Sequence, residues 1–347
     1  MKALFFEAFQ APVRVTELPD PEPTADGVVI QVAAAGLCRS DWHGWMGHDS
    51  DVHLPHVPGH EFAGTIAALG KNVKNWQIGD RVTLPFSMGC GSCPQCRTGN
   101  QQICDDYYQP GFTGMGCFAE YVAVPYAEQN LVRLPDKLGF NAAAVLGCRF
   151  ITAYRGIAVQ GRLQGGDWVA VHACGGVGLS AIQIAKALGG RVVAVDIATD
   201  KLELAKKLGA DRVLNASEID QIPEAIREIT GGGAQVSVDA LGSTVTCINS
   251  IACLAKRGRH IQIGLMTGTH RTPAVPMGPV IAKELEIIGS HGMQAHAYPG
   301  MLQLITSGRI NPKALLGQSI SLEEAAAALM KMDDHDALGV TVIDRFR

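Results

Sequence analysis

The chain has 347 residues, 47% of them hydrophobic and 18% charged, which is length for roughly two domains of about 100–200 residues each and a composition that excludes disorder. Thirty-three acids against 29 lysines and arginines leave a formal charge of −4, and no basic excess exists to track a nucleic acid. No apolar run reaches the ~18 residues of a membrane span, and the forty glycines show no three-residue period.

The N-terminus is apolar from Met1 to Phe6 but meets Glu7, short of the about 7–15 apolar residues of a secretory signal. The chain therefore reads as cytoplasmic. Its ten cysteines then stay reduced, and their spacing must explain them. Proline fixes φ and biases its predecessor away from helix, so Pro19-Asp20-Pro21-Glu22-Pro23 predicts an extended loop. Strands are predicted at 28–35, 62–69, 80–84 and 118–124, each a short apolar run between Gly, Pro and Asp punctuation. The pattern changes near residue 150. Strands at 168–172, 191–195, 235–239 and 260–264 then alternate with helices at 177–188, 201–208 and 245–254. That alternation predicts βαβ units and a parallel sheet. Helical stretches at 298–306 and 322–332 and a strand at 339–343 close the chain.

Between the first strand and first helix of the alternating part lies His172-Ala173-Cys174-Gly175-Gly176-Val177-Gly178. A glycine-rich turn lets the backbone approach a pyrophosphate, and the helix start offers it free N–H groups and the positive end of its dipole. Gly175, Gly176, Val177 and Gly178 are the candidate cradle; Ala173 stands where the strict G-x-G-x-x-G pattern has its first glycine. Asp196 ends the next strand, eighteen residues past Gly178. An acid there bonds the adenosine ribose 2′-hydroxyl and repels a 2′-phosphate, which favours NAD over NADP. The bland reading of Asp196 is a turn acid at a helix start.

Four cysteines, Cys90, Cys93, Cys96 and Cys104, follow the spacing C-x2-C-x2-C-x7-C. Four thiolates close a tetrahedral site, the donor set of a structural zinc. The rival is an iron–sulfur cluster, whose bacterial pattern puts the fourth cysteine three residues on, followed by proline. Here Asp105 follows Cys104.

Two further motifs are Cys38-Arg39-Ser40-Asp41-Trp42-His43 and Gly59-His60-Glu61-Phe62-Ala63-Gly64. Together with the cysteine cluster and the cofactor turn, in this order, the whole chain resembles the zinc-dependent alcohol dehydrogenases of the medium-chain dehydrogenase/reductase superfamily. The resemblance implies an α/β architecture. A Rossmann-type doubly wound parallel sheet domain at 150–289 binds NAD, and a mainly β GroES-like catalytic domain at 1–149 and 290–347 holds two zinc ions, one catalytic and one structural. It implies Cys38, His60 and Cys148 as catalytic zinc ligands, an open set of two thiolates and one imidazole. Glu61 is implied beside that zinc, as a carboxylate supporting the ligands or a transient ligand. Ser40 and His43 are implied as a proton relay running through the cofactor ribose, Arg39 near the pyrophosphate, Thr152 near the nicotinamide and Lys201 near the adenosine ribose. Trp42 and Phe86 either line the substrate channel or belong to the core.

The implied reaction is hydride transfer between a primary or secondary alcohol and NAD, giving an aldehyde or ketone, in a homodimer or homotetramer. A polyol or amino-alcohol dehydrogenase shares most of these motifs, but polyol members tend to carry glutamate where Cys148 stands. The intact ligand set disfavours a zinc-free quinone or enoyl reductase and a catalytically silent zinc- and NAD-binding protein. Cys117, Cys174, Cys247 and Cys253 read as buried small hydrophobes, and His48, His56, His172, His260 and His335 are among the histidines without a role.

Overall fold

The computed structural model describes residues 1–332 and 338–346; His335 lies outside the described residues. The strands in chain order are β1 (Lys2–Phe5), β2 (Arg14–Glu17), β3 (Val28–Gly36), β4 (Phe62–Leu69), β5 (Arg81–Thr83), β6 (Tyr121–Val124), β7 (Val132–Arg133), β8 (Trp168–His172), β9 (Arg191–Asp196), β10 (Arg212–Asn215), β11 (Ala234–Asp239), β12 (Leu254–Gln262), β13 (Glu286–Gly289), β14 (Leu316–Ser321) and β15 (Val340–Arg345). Two compact units result: Met1–Ile151 with Gly292–Thr306 and Leu315–Arg347, and Thr152–His291 with Ser307–Ala314.

In the first unit a sheet runs β14-β15-β3-β4-β5-β7, with β6 also paired to β3, and β1 and β2 form a separate hairpin. β3 is flanked by three partners and is buried along most of its length. Val28, Ile30, Phe62, Ile66, Val82, Phe118 and Ile343 belong to the core beneath it. The register of β3 on β4 places Ala35 opposite Phe62, and the Gly36 N–H donates to the Glu61 carbonyl at 2.7 Å. The residues just after β3 and just before β4 therefore meet at one end of the sheet. Those residues are the Cys38 and His60 motifs.

The second unit holds a six-stranded, all-parallel sheet in the order β10-β9-β8-β11-β12-β13. Counted within the unit, this is 3-2-1-4-5-6, the dinucleotide-binding order, with its crevice between β8 and β11. β8 and β9 read as nearly continuous apolar runs because helices cover both faces of a parallel sheet. The predicted helix at 245–254 ends at Ala252, and β12 already starts at Leu254. The run Lys256-Arg257-Gly258-Arg259 hid that start, since polar residues do not signal a strand. β10, β13 and the helix Ile222–Thr230 were not foreseen either.

A chain of buried polar side chains crosses this second core. Ser237 Oγ lies 2.7 Å from Ser250 Oγ, Ser250 Oγ 2.8 Å from His260 Nδ1, and His260 Nε2 3.1 Å from Gln262 Oε1. Because Gln262 spends its amide N–H on Asp239 and on the Gly264 carbonyl, its Oε1 accepts, so His260 donates from Nε2 and accepts at Nδ1. His172 is also buried, beside Cys253 Sγ at 3.7 Å. Burial pushes both imidazoles down, His172 to about 4. Both are neutral in the fold at pH 7, while in the unfolded chain they take protons below about 6.5. Between those values the unfolded state binds protons that the folded state refuses, so stability falls as pH drops. From pH 7 to pH 5 the loss from His172 alone is on the order of 2 kcal/mol. Urea unfolding at the two pH values measures it, and the His172→Leu chain should show a correspondingly smaller pH dependence.

Candidate active site and metal centres

Cys38 caps the helix Arg39–Trp45 with an extended backbone, and Asp41, at the third helical position, closes a capping box on it. Asp41 Oδ2 accepts the Cys38 backbone N–H at 2.9 Å, and Asp41 Oδ1 accepts the His60 Nδ1–H at 2.7 Å. One buried carboxylate thus fixes both the loop that carries Cys38 and the ring of His60. Phe86 and Phe112 stand edge-on to that ring, at centroid distances of 6.1 and 5.4 Å. With Nδ1 committed as a donor, Nε2 carries the lone pair. It is buried and has no hydrogen-bond partner among the described residues.

Cys148 completes the group. Phe86 N–H donates to the Gly147 carbonyl at 2.8 Å, which brings the segment to the end of β5. There the chain leaves the helix Phe140–Ala144 and widens into a π-helical turn, Leu146–Phe150. Such turns recur where a helix must re-aim a side chain. The donor atoms of Cys38, His60 and Cys148 all lie within 4.8 Å of one another. Hydrogen bonding between the two thiols pulls Cys38 well down and pushes Cys148 well up. An orphaned imidazole nitrogen aimed at two thiols is the donor set of an open, three-ligand zinc site, so the residues fit that metal.

Glu61 and Arg149 brace this turn. Glu61 is fully buried, and its Oε1 accepts the backbone N–H groups of Cys148 and Arg149, both at 3.2 Å. Arg149 Nη2 lies 2.6 Å from Glu61 Oε2 and donates to the Leu37 carbonyl at 2.9 Å. A Cβ at Gly36 would fall 2.7 Å from Glu61 Oε2, so glycine there makes room for the carboxylate. Sequence reasoning placed Glu61 near the zinc but missed Asp41, Arg149 and Tyr298. The signal for Asp41 was the C-x-x-D spacing of a capping box. Tyr298 is fully buried, and its hydroxyl has no partner among the described residues. Replacing Asp41 by Asn keeps the shape but removes the charge that fixes the His60 ring. Zinc affinity at this site should fall by about 10–100-fold, measured by chelator competition.

Ser40 Oγ lies 3.9 Å from Cys38 Sγ, and His43 follows one helical turn later. Arg39, expected near a pyrophosphate, stacks its guanidinium 4.5 Å from the Trp42 ring centroid and donates to the Met332 carbonyl at 3.0 Å. Trp42 and Phe86 are both buried, Trp42 edge-on to His43.

The second cysteine group is as tight as the first: the sulfurs of Cys90, Cys93, Cys96 and Cys104 lie within 4.8 Å of one another. Cys93 and Cys104 are 3.7 Å apart, close to the about 3.8 Å that four ~2.3 Å zinc–sulfur bonds impose at tetrahedral angles. The backbone N–H of Cys93 points at Cys90 Sγ and that of Cys96 at Cys93 Sγ, each at 3.4 Å. The Ser92 hydroxyl and the backbone N–H groups of Ser92 and Cys93 pull Cys90 down to about 6, while burial pushes Cys96 up to about 12. Four sulfurs this close cannot all ionise alone; a divalent cation lets them. The remaining cysteines, Cys117, Cys174, Cys247 and Cys253, are all buried.

In the second unit the turn after β8 passes Ala173 at φ +76 and enters the helix Gly176–Ala187 from its cap, Gly175. A Cβ on Gly178 would fall 1.9 Å from the Ala173 carbonyl oxygen, so the helix crosses the turn at a contact only glycine permits. A Cβ on Gly175 would meet nothing within 4 Å, which leaves the outer face of the turn, with Val177 on its first helical turn, accessible to a phosphate. Asp196 performs the turn duty weighed for it in the sequence. Its Oδ2 accepts the Cys174 N–H at 2.6 Å, and its Oδ1 accepts those of Ile197 and Ala198 at 2.8 and 3.0 Å. It therefore ties the glycine-rich turn to the start of the helix Thr199–Lys207, and Oδ2 keeps a lone pair for a hydroxyl donor. Lys201 sits half-buried on the first turn of that helix, and Thr152 is buried in the helix Ile151–Tyr154.

Residues 24–136 match the alcohol dehydrogenase GroES-like domain, and residues 176–307 match the zinc-binding dehydrogenase domain. The NAD-dependent alcohol dehydrogenase of Sulfurisphaera tokodaii is 33% identical over 99% of both chains. The D-arabitol-phosphate dehydrogenase of Enterococcus avium is 31% identical over 94% of this chain and 92% of its own. Among solved structures, the alcohol dehydrogenase TADH from Thermus sp. ATN1 superposes with a TM-score of 0.90 at 32% identity, covering 99% of this chain and all of that one.

Proposed function

The chain belongs to the zinc-dependent alcohol dehydrogenases of the medium-chain superfamily, and on that premise we propose that it interconverts a primary or secondary alcohol and its aldehyde or ketone by hydride transfer to NAD. The observation that carries this reading is the buried, unpartnered Nε2 of His60, aimed with Cys38 and Cys148 at a common point. When bound, zinc supplies a Lewis acid for the substrate oxygen and NAD supplies the hydride acceptor. The chain supplies the rest. Asp41 orients His60, and Glu61 with Arg149 holds the Cys148 turn. Ser40 accepts the alcohol proton and His43 takes it on, an acid–base task suited to an imidazole. Cys90, Cys93, Cys96 and Cys104 hold a second, structural zinc. Residues 1–149 and 290–347 carry the metal chemistry. Residues 150–289 hold NAD through Gly175, Gly176, Val177, Gly178, Asp196 and Lys201, with Arg39 at the pyrophosphate and Thr152 at the nicotinamide.

The test is absorbance at 340 nm, with NAD and a panel of alcohols and with NADH and a panel of aldehydes and ketones. Turnover of simple alcohols is expected, with much lower efficiency when NADP replaces NAD; no turnover of any of them would overturn the proposal. The similarity to a D-arabitol-phosphate dehydrogenase favours one second reading, a polyol dehydrogenase, which the same panel separates by including sugar alcohols and their phosphates.

No helix among the described residues is long and apolar enough to cross a membrane. A cytoplasmic homodimer or homotetramer fits the surface of the second unit. β13 is the last strand of its sheet among the described residues, Ile287 on it is 43% exposed, and Ile281 in the helix Met277–Ala282 is 75% exposed. An unpaired strand edge with exposed isoleucines is a surface that a second copy can cover. Light scattering gives the mass directly.

A further inference from the structure

We propose that His48 is the terminal member of the proton path, taking the proton from His43 and releasing it to water. The inference rests on the reading of Ser40 and His43 as the groups that move the alcohol proton.

The placement of His48 follows from how the helix Arg39–Trp45 stops. Met46 is its C-cap and Gly47 follows at φ +77, a left-handed conformation that favours glycine. Gly47 N–H donates to the Gly44 carbonyl at 3.1 Å, and His48 N–H donates to the His43 carbonyl at 3.0 Å. This is the Schellman pair of bonds, and it folds the residue two beyond the cap back over the third residue from the helix end. Here those two residues are both histidines. A Cβ on Gly47 would also come within 3.0 Å of the Phe9 ring, so the turn has a second reason to keep glycine.

The rings complete what the backbone starts. His43 Nδ1 and His48 Nδ1 are 3.0 Å apart, and the ring centroids 5.3 Å. Both rings stand edge-on to the buried Trp42, at 5.0 and 5.7 Å, so neither is a freely rotating surface side chain. Two nitrogens at this distance need one proton between them: one ring donates and the other accepts. Exposure rises along the path, from half-buried Ser40 and His43 to exposed His48. Arg39 stacks its guanidinium on the same Trp42 ring, and the Asp49 carboxylate beside His48 accepts the Asp51 N–H at Oδ1.

The step balances. A proton reaches His43 at Nε2, the Nδ1 proton of His43 moves to His48 Nδ1, and His48 loses its Nε2 proton to water or buffer. One proton enters and one leaves, with no change of oxidation state, and exchange with water restores the starting tautomers.

The test compares wild type, His48→Gln and His43→Gln. Glutamine at 48 can still hydrogen-bond His43 but cannot pass a proton through. In a single turnover followed at 340 nm and with a pH dye, wild type should release the proton in step with hydride transfer. In His48→Gln, release should lag by about tenfold in dilute buffer, and added imidazole should abolish the lag. Nitrogen NMR of labelled histidine supplies a readout independent of activity: the hydrogen-bonded His43 Nδ1 signal of wild type should change in His48→Gln while the rest of the spectrum is kept. Release in step with hydride in His48→Gln, or a lag that imidazole leaves in place, would overturn the role of His48 and end the path at His43. An unaltered release in His43→Gln would instead overturn the relay reading itself.

Discussion

His60→Ala should leave one zinc per chain where the wild type carries two, and should lower kcat/KM by about 10⁴-fold or more. The size of the loss follows from the site. A zinc that polarises the substrate oxygen contributes several kcal/mol at the transition state, and about 5.5 kcal/mol corresponds to that factor. Removing the imidazole takes away one of three protein ligands and leaves the Asp41 carboxylate buried without its ring partner. The remaining Cys38 and Cys148 offer two thiols, too few to hold the ion in an open site. NAD binding should persist, because the cofactor turn of the second unit contains none of these residues. Metal analysis, steady-state rates and fluorescence titration with NADH check the three expectations separately. A Cys96→Ser chain gives the necessary contrast. It should also lose one zinc, but from a closed four-thiolate site whose metal organises the loop around it. Free energies of structural zinc sites run to about 10–16 kcal/mol, so that chain should fail at folding rather than at chemistry. A His60→Ala protein that keeps both metals and its rate would refute the assignment of the open site.

How far this site could be seen beforehand depended on the kind of signal each residue gives. Ligands at short spacings, such as the four clustered cysteines, announce themselves because one local loop must fold around one ion. Cys38, His60 and Cys148 are far apart in sequence, and only a known motif order links them. Their meeting depends on the register of β3 against β4 and on a π-helical turn, neither of which periodicity encodes. Arg149 would read as a surface cation in any composition-based account. It is buried because Glu61 is buried opposite it, and neither residue predicts the other from the sequence alone. His48 was legible only as a histidine without a role, since its contact with His43 is set by a left-handed glycine at the helix end. The parallel sheet was easier, as β8, β9 and β11 are apolar enough to stand out; the start of β12 and the edge strand β13 were hidden by charge and exposure.

Gly178→Ala should weaken NAD binding by about 100-fold or more with the zinc content unchanged, and Ala173→Gly should do the reverse in kind, stabilising the second unit by about 1 kcal/mol. Both expectations come from one contact. The new methyl at 178 would sit 1.9 Å from the Ala173 carbonyl oxygen, far inside van der Waals contact, and that oxygen belongs to backbone rather than to a side chain that can swing away. Either the turn opens or the helix Gly176–Ala187 retreats, and in both cases the N–H groups at the helix start leave the place where a pyrophosphate would meet them. Two displaced charge-assisted hydrogen bonds at about 1.5–3 kcal/mol each are enough for the expected loss. Ala173 already carries the opposite burden. At φ +76 its Cβ crowds the following carbonyl, at a cost of about 1–2 kcal/mol that glycine does not bear. Part of that gain is returned, because glycine also loosens the unfolded chain. Thermal unfolding with and without NADH separates the effects: Ala173→Gly should unfold at a higher temperature than wild type in either condition, and Gly178→Ala should lose most of the stabilisation that NADH gives. The turn is held from the side by Asp196 through the Cys174 N–H, so relief at 173 should not let it drift. An Ala173→Gly chain less stable than wild type would mean that the methyl makes packing contacts worth more than the strain it causes.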